Sequence, residues 1–295
     1  MNRRIWLVSY PKSGNTWMRL LLANVGRDDP IGVNDLFHTA HSDIVAAGRY
    51  WLDDVAMVPS AMLTADEADR LRSIVYSFHE GGAGQQLRYV KSHDAYSRLP
   101  DGAPLMGGSA AASGAVLVVR DPRDVAISWA NHHSLSLDEA IVQMRRSDTV
   151  LASPGPRMQR QMRQRVLSWS GFAESWLDQN DVPVHLVRYE DLHADTATTL
   201  AGVLAFAGQA ATAAEIDRAV AFSRFDRVQA DEVRNGFQEA PPMRGTSVIN
   251  AGRFFRRGIA GGWRDELSPE QSAQIVQDHG AMMTRLGYSC DRPAS

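Results

Sequence analysis

The stretch Ser9-Tyr10-Pro11-Lys12-Ser13-Gly14-Asn15-Thr16-Trp17 most constrains what this chain can fold into, because it joins a short apolar run, Ile5 to Val8, to a helix-forming run, Trp17 to Val25. A strand that passes through a small-residue turn into a helix gathers free backbone N–H groups and the positive end of the helix dipole around one point. Such a point binds an anion. Lys12 adds an ammonium, Ser13 and Thr16 add hydroxyls, and Gly14 lets the backbone bend and approach a ligand without a Cβ in the way. The common nucleotide-binding loop places its lysine after the second glycine and before Ser or Thr, whereas here Lys12 opens the loop.

The rest of the chain says how large that anion can be. A net charge of -3 and a pI near 6.3 give no global field for nucleic acid, so the ligand is small and held by local positive residues. Of the 31 basic residues only Lys12 and Lys91 are lysines. Lysine is a compact point charge that follows a single moving oxygen, while arginine is a broad planar fork, so these two positions mark places where the fork does not fit. The single cysteine, Cys290, excludes an internal disulfide framework and a thiolate metal site, and fits a reducing compartment. The apolar run before Pro11 is too short for a signal segment or a membrane span. A cytoplasmic protein is expected, with no membrane or nucleic-acid partner and with no metal.

Along the chain, Gly26 to Ser60 reads as irregular with short helices, and its Phe37, His38, His41, Tyr50 and Trp51 are candidates for an acceptor pocket or for the core. Thr64 caps a helix that ends near Gly81-Gly82. Leu87 to His93 is a brief strand whose end carries Lys91 and His93 at i, i+2, on one side, where ligands sit in an open parallel sheet. Asp101 to Gly114, rich in Gly, Ala and Ser, reads as a mobile loop without assignable chemistry. Ala115 to Arg120 is an uninterrupted apolar strand, followed by Asp121 as cap and Pro122 at the first helical position, which makes a second strand-to-helix anion site with Arg120 at its mouth and Ser128 further along the helix. Met158, Met162, Trp169, Phe172, Ala173 and Trp176 read as a helical core stripe, with the arginines at 157, 160, 163 and 165 as its solvated face. Val184 to Arg188 is a third strand candidate, Thr196 to Ala207 and Ala213 to Phe222 are helices, Asp231 to Gly252 is the candidate lid, and Ser268-Pro269 starts a last helix that ends near Gly287. His132-His133 lacks chelating spacing and is read as structural. Strands separated by helices, without a linker or repeat, predict one α/β domain over residues 1–295, with a parallel sheet and helices on both faces.

Four separated blocks together resemble the PAPS-dependent sulfotransferases of the cytosolic type, which move a sulfuryl group from 3′-phosphoadenosine 5′-phosphosulfate (PAPS) and release the bisphosphate PAP. Tyr10 to Trp17 is similar to that family's 5′-phosphosulfate loop, with Asn15 where threonine is commoner. Val118 to Ser128 is similar to its 3′-phosphate motif. Arg256 to Arg264 resembles its C-terminal glycine and tryptophan signature, with Arg257 where lysine is frequent, and Lys91-Ser92-His93 matches its Lys-x-His. The resemblance implies a P-loop NTPase-like three-layer fold with a central parallel sheet flanked by helices. It implies a catalytic set of His93, Lys12, Lys91 and Ser128, with His93 as base. It implies that Trp17 and Phe225 flank the adenine and that Tyr189 bonds its edge. Arg120, Ser128, Ser223, Arg256 and Arg257 would hold the 3′-phosphate, and Ser13, Gly14, Asn15, Thr16, Phe255 and Gly258 complete the donor site. The acceptor would be a hydroxyl, less readily an amine, on a small molecule, glycan or natural product. The residues after Trp263 depart from the short dimer motif many members carry, which leaves the oligomeric state open.

Two other readings stand beside this one. A nucleotide kinase would share the loop architecture, but the lysine-before-glycine order and the lack of an acidic, Mg²⁺-binding strand end argue against it. A non-catalytic nucleotide-binding protein would not need Lys91 and His93 together.

Overall fold

The computed structural model describes residues 3–37, 45–78, 86–152, 160–240 and 253–290. Its sheet follows from the apolar runs. β1 (Arg4–Ser9) sends Trp6 and Val8 to one face and Ile5 and Leu7 to the other, and all four are buried, as a parallel strand covered on both sides requires. β2 (Arg88–Ser92) and β3 (Gly114–Val119) pair with it on either side, and β6 (Val184–Arg188) pairs with β3. The order is β2-β1-β3-β6, all parallel, so the carboxyl ends of the four strands share one edge. A short antiparallel pair, β4 (Val150–Leu151) with β5 (Gln164–Arg165), lies apart from this sheet.

Helices make the outer layers. α1 (Asn15–Asn24), α9 (Thr196–Phe206) and α10 (Ala213–Phe222) contribute Met18, Leu21, Leu200, Val203 and Ala219 to the core built on Ile5 and Leu7. α3 (Ala65–Ser77), α5 (Pro122–His133), α6 (Leu137–Met144), α7 (Trp169–Leu177) and α12 (Pro269–Arg285) cover the Trp6 and Val8 face. α2 (Arg49–Ala56), α4 (Gly108–Ala111), α8 (Tyr189–Ala194) and α11 (Phe225–Asn235) fill the connections. Helix starts obey local signals. Thr64, Ser136, Thr212 and Ser268 form capping boxes, and Asp121 caps α5 ahead of Pro122.

Three expectations are corrected here. Met162 and the arginines at 163 and 165 do not extend the helix of Trp169: Ser168 caps that helix and β5 precedes it. The reason is charge. Asp69 is buried, and Arg72, Arg163 and Arg165 converge on it while Arg72 also pairs with buried Asp94, so these arginines turn inward to compensate carboxylates. Met158 and Arg157 lie outside the described residues. The segment after Asp101 is ordered around buried Leu105 and Met106 and contains α4. Residues 231–235 are the end of α11, whose Val228 and Glu232 face inward, and the part of the expected lid from 241 to 252 lies outside the described residues.

Candidate active site

The loop after β1 bends through two left-handed residues, Lys12 (φ 72) and Gly14 (φ 104). Gly14 serves as the cap of α1, which therefore begins at Asn15, two residues before the apolar run suggests. It also has no room for a side chain: a Cβ there would lie 2.6 Å from Cδ2 of Tyr189, which follows β6 and closes over the loop. Asn15 Nδ2 donates to the Leu7 carbonyl at 3.1 Å and stitches the helix start to the strand. Trp17 Nε1 donates to the Ser223 carbonyl at 2.9 Å, which sets its ring edge-on to Tyr189 with centroids 5.7 Å apart.

Lys91 and His93 arrive from the end of β2, next to β1. His93 is fixed from two sides: its Nδ1 lies 2.8 Å from the Ser9 carbonyl oxygen, and its backbone N–H donates to Gln164 Oε1 at 3.3 Å. A carbonyl only accepts, so the proton is on Nδ1 and Nε2 is left bare. Burial first, then the Lys91 ammonium, lowers the His93 pKa to about 3. Lys91 donates to Glu239 Oε1 at 2.9 Å, Arg19 donates to the same oxygen at 2.9 Å, and Thr16 Oγ1 donates to Oε2 at 3.4 Å. Burial pushes the Glu239 carboxyl up, but Lys91 and Arg19 outweigh it and hold the group well below the usual carboxylate range. Lys12 has its Nζ 3.7 Å from the Phe254 ring centroid and 3.4 Å from His132 Nδ1, and burial lowers its pKa to about 7.

The second candidate anion site lies at the end of β3. Arg120 lies with its guanidinium carbon 4.3 Å from the Tyr189 ring centroid and donates to the Ile259 carbonyl at 2.9 Å. Asp124, one turn into α5, accepts from the backbone N–H of Gly261 at 2.7 Å and of Trp263 at 2.8 Å, which fastens the C-terminal loop over Arg120. On that loop Arg256 pairs with Glu266 at 2.7 Å, and Arg257 pairs with Glu266 at 2.7 Å and with Asp265 at 2.9 Å. Gly258 (φ 62) presses on Phe225, since a Cβ there would lie 2.2 Å from that ring. Glu232 of α11 accepts from the N–H groups of Phe254 and Phe255 at 2.6 and 2.9 Å and so places both aromatics.

One cavity of about 600 Å³ joins the two sites. Every residue given above as catalytic or donor-binding lines it except Ser13 and Ser223. Ser223 is fully buried, with its hydroxyl accepting from Asn24 Nδ2 at 3.2 Å and its carbonyl taken by Trp17, so its side chain serves the packing behind the cavity. Ser13 is also buried. Among the described residues its Oγ, Asn15 Oδ1 and Arg120 Nε are buried without a hydrogen-bond partner, the pattern of a cradle built for further polar contacts. The cavity also takes Glu239, Phe254, His132 and His133, which the sequence reading did not assign to it. His132 carried a usable signal, because it stands four residues after Ser128 and so on the same helical face. Of the aromatics after Gly26, Tyr50 lines the cavity while Trp51 packs on Trp6 and Tyr76; His38 and His41 lie outside the described residues. Among the described residues no group of three or more His, Cys, Asp or Glu could hold a metal ion, and no helix is long and apolar enough to cross a membrane.

The chain is 24% identical over 288 residues to cytosolic sulfotransferase 17 of Arabidopsis thaliana, covering 92% of this chain and 71% of that protein. It is 25% identical over 279 residues to cytosolic sulfotransferase 16 of the same plant, covering 90% and 72%. Its fold is similar to that of mouse sulfotransferase SULT7A1, solved with PAP, at TM-score 0.57 and 17% identity over 95% of this chain and 84% of that one. It is also similar to a retinol dehydratase solved with retinol and PAP, at TM-score 0.59 and 17% identity over 99% and 84%. The model of the sulfotransferase domain matches residues 2–287, the whole span from the first anion loop to the end of the last helix, and the chain belongs to the sulfotransferase domain family.

Proposed function

We propose that this protein is a PAPS-dependent sulfotransferase, one domain over residues 1–295, that sulfates a hydroxyl of a small-molecule, glycan or natural-product acceptor and releases PAP. The observation that carries this reading is the single cavity that joins Lys12, Lys91 and His93 at one end to Arg120, Ser128, Arg256 and Arg257 at the other. Two separated cationic sites call for a doubly anionic nucleotide. The relatives solved with PAP support the same choice.

PAPS, when bound, supplies an activated sulfuryl group on its 5′-phosphate and a static 3′-phosphate. Trp17 and Phe225 would take the adenine between them, a stacking contact worth ~1–3 kcal/mol per base, with Tyr189 at the ring edge. Arg120, Ser128, Arg256 and Arg257 would hold the 3′-phosphate, where planar guanidinium forks suit a group that does not move. The Gly14 turn, the Ser13 and Thr16 hydroxyls and the start of α1 would hold the 5′ end. Lys12 and Lys91 place two ammonium groups beside the reacting end, where they would stabilise charge as it shifts during in-line transfer. His93 is neutral, carries its proton on Nδ1 and has Nε2 bare, so it would take the acceptor's hydroxyl proton.

The test is a PAPS-dependent screen of phenols, steroids, sugars and glycopeptides, read by the mass gain of one sulfuryl group. Turnover that needs Mg²⁺-ATP instead of PAPS would replace this reading with a nucleotide kinase. PAP binding without any sulfated product from the screen would favour a nucleotide-binding protein.

A further inference from the structure

His132 stands on the cavity face of α5, four residues beyond Ser128, while Trp129 between them points into the core. Its ring is held edge-on to Phe254, with centroids 6.1 Å apart at 87°, and edge-on to His133 at 5.0 Å and 86°. His133 in turn lies 4.3 Å from Trp129, so the imidazole has a set plane. The Lys12 ammonium sits in the corner these groups make, 3.7 Å from the Phe254 ring centroid and 3.4 Å from His132 Nδ1. Among the described residues that nitrogen is the only hydrogen-bond acceptor on Lys12 Nζ. An ammonium donates, so Nδ1 must be bare and the His132 proton must be on Nε2, the tautomer opposite to that of His93.

We propose that His132 is a positioning residue for Lys12: its neutral imidazole accepts from the ammonium, keeps that ammonium charged in a buried setting, and holds it against the cavity wall. The proposal rests on the sulfotransferase reading for its purpose, since Lys12 is useful to an anionic donor only while it is charged. The charges facing Lys12 come from several elements. Glu239 and Glu232 favour the cation, whereas Lys91 and Arg120 oppose it, and burial opposes it most. A neutral acceptor helps the cation without adding a carboxylate that would repel an anionic donor. An imidazolium would do the reverse, and burial together with Lys12 lowers the His132 pKa to about 2, so the ring stays neutral.

The chain itself offers a direct test, because Lys12 and Lys91 are its only lysines. Labelling with acetic anhydride across pH 5 to 10, followed by peptide mass spectrometry, reads the titration of each lysine without any nucleotide. In the unmodified protein Lys12 should react with a midpoint near pH 7, far below an exposed lysine. His132→Phe removes the acceptor and should move that midpoint down by about one pH unit, because loss of a hydrogen bond to a charged group favours the neutral amine. His132→Asn keeps a carbonyl acceptor and should restore most of it, while Lys91 keeps its own midpoint in both variants. An unchanged Lys12 midpoint in His132→Phe, or an equal drop in His132→Asn, overturns the proposal. A PAP titration of the unmodified protein judges the nucleotide reading separately, and its failure would leave the labelling result standing.

Discussion

The Nδ1 nitrogen of His93 lies 2.8 Å from the carbonyl oxygen of Ser9, across the pairing of β2 with β1. That one contact decides which nitrogen of the ring can act as a base, because it ties up the proton on the side of the strand and leaves Nε2 for the cavity. Ser9 is the last residue of the strand that leads into the Lys12 loop, so the His93 ring and that loop are set by the same backbone.

His93→Ala should lower turnover by ~10²–10⁴, the usual worth of a positioned base, and leave PAP binding nearly intact. Because the His93 pKa is lowered to about 3, the base form is present at every pH above that value. Turnover should therefore show no acid limb near pH 6.5 that is lost in the His93 variant. Such a limb would mean that His93 titrates near its ordinary value, and retained turnover in His93→Ala would remove it from the chemistry.

PAP should stabilise the fold by ~2.7 kcal/mol at a hundredfold excess over its dissociation constant. AMP lacks the 3′-phosphate that Arg120, Arg256 and Arg257 would hold, and should raise the melting midpoint less at equal concentration. Equal shifts by AMP and PAP would show that these arginines are not a phosphate site.

Lys12→Arg keeps the charge but should lose most of the turnover. The left-handed loop residue sends its ammonium into the corner between Phe254 and His132, and a planar fork of five donors does not fit a place built for a compact cation. A near-native rate for this variant would mean that charge alone suffices.

Asp124→Ala strips the acceptor from two backbone N–H groups, those of Gly261 and Trp263. Each buried, unpaired donor costs ~1–3 kcal/mol, so the loop that carries Arg256 and Arg257 should loosen. The expected result is a weaker PAP affinity, with the turnover at saturating donor much less affected. Affinity equal to that of the unmodified protein would show that Asp124 does not hold the loop.

The protein should lose stability in acid over a defined window. Burial lowers the pKa values of His93 to about 3, of His133 to about 4 and of His279 to about 4, against an ordinary value of 6.5. Between those limits the unfolded chain takes up protons that the folded chain refuses, so this stability is complete above pH 6.5 and is lost as pH falls toward 3. Thermal melts should show the midpoint falling from pH 6.5 to pH 4. The raised carboxyls of Asp94, Asp124 and Glu190 work in the opposite direction, and a flat profile would mean that they cancel the histidines.

Most of the strand-to-helix turns that line the cavity were legible in the chain, since they are written by signals that act within a few residues. The Gly14 turn, the apolar runs of β1 and β3, and the Asp121-Pro122 start of α5 each dictate their own geometry, and a parallel sheet then brings their ends to one edge. What closes the site crosses long stretches of sequence and obeys compensation of charge and space. Asp124 reaches Gly261 and Trp263 across 137 and 139 positions, and Glu239 reaches Lys91 across 148. Arg163 and Arg165 turn inward because Asp69 is buried, and Ser223 is buried behind the cavity with its hydroxyl accepting from Asn24. No local pattern encodes these pairings, for a buried charge or donor accepts whichever complementary group the packed layers deliver. His132 shows the boundary best: its helical face was given by its spacing from Ser128, but its partner was chosen only when the Lys12 loop and Phe254 packed against it.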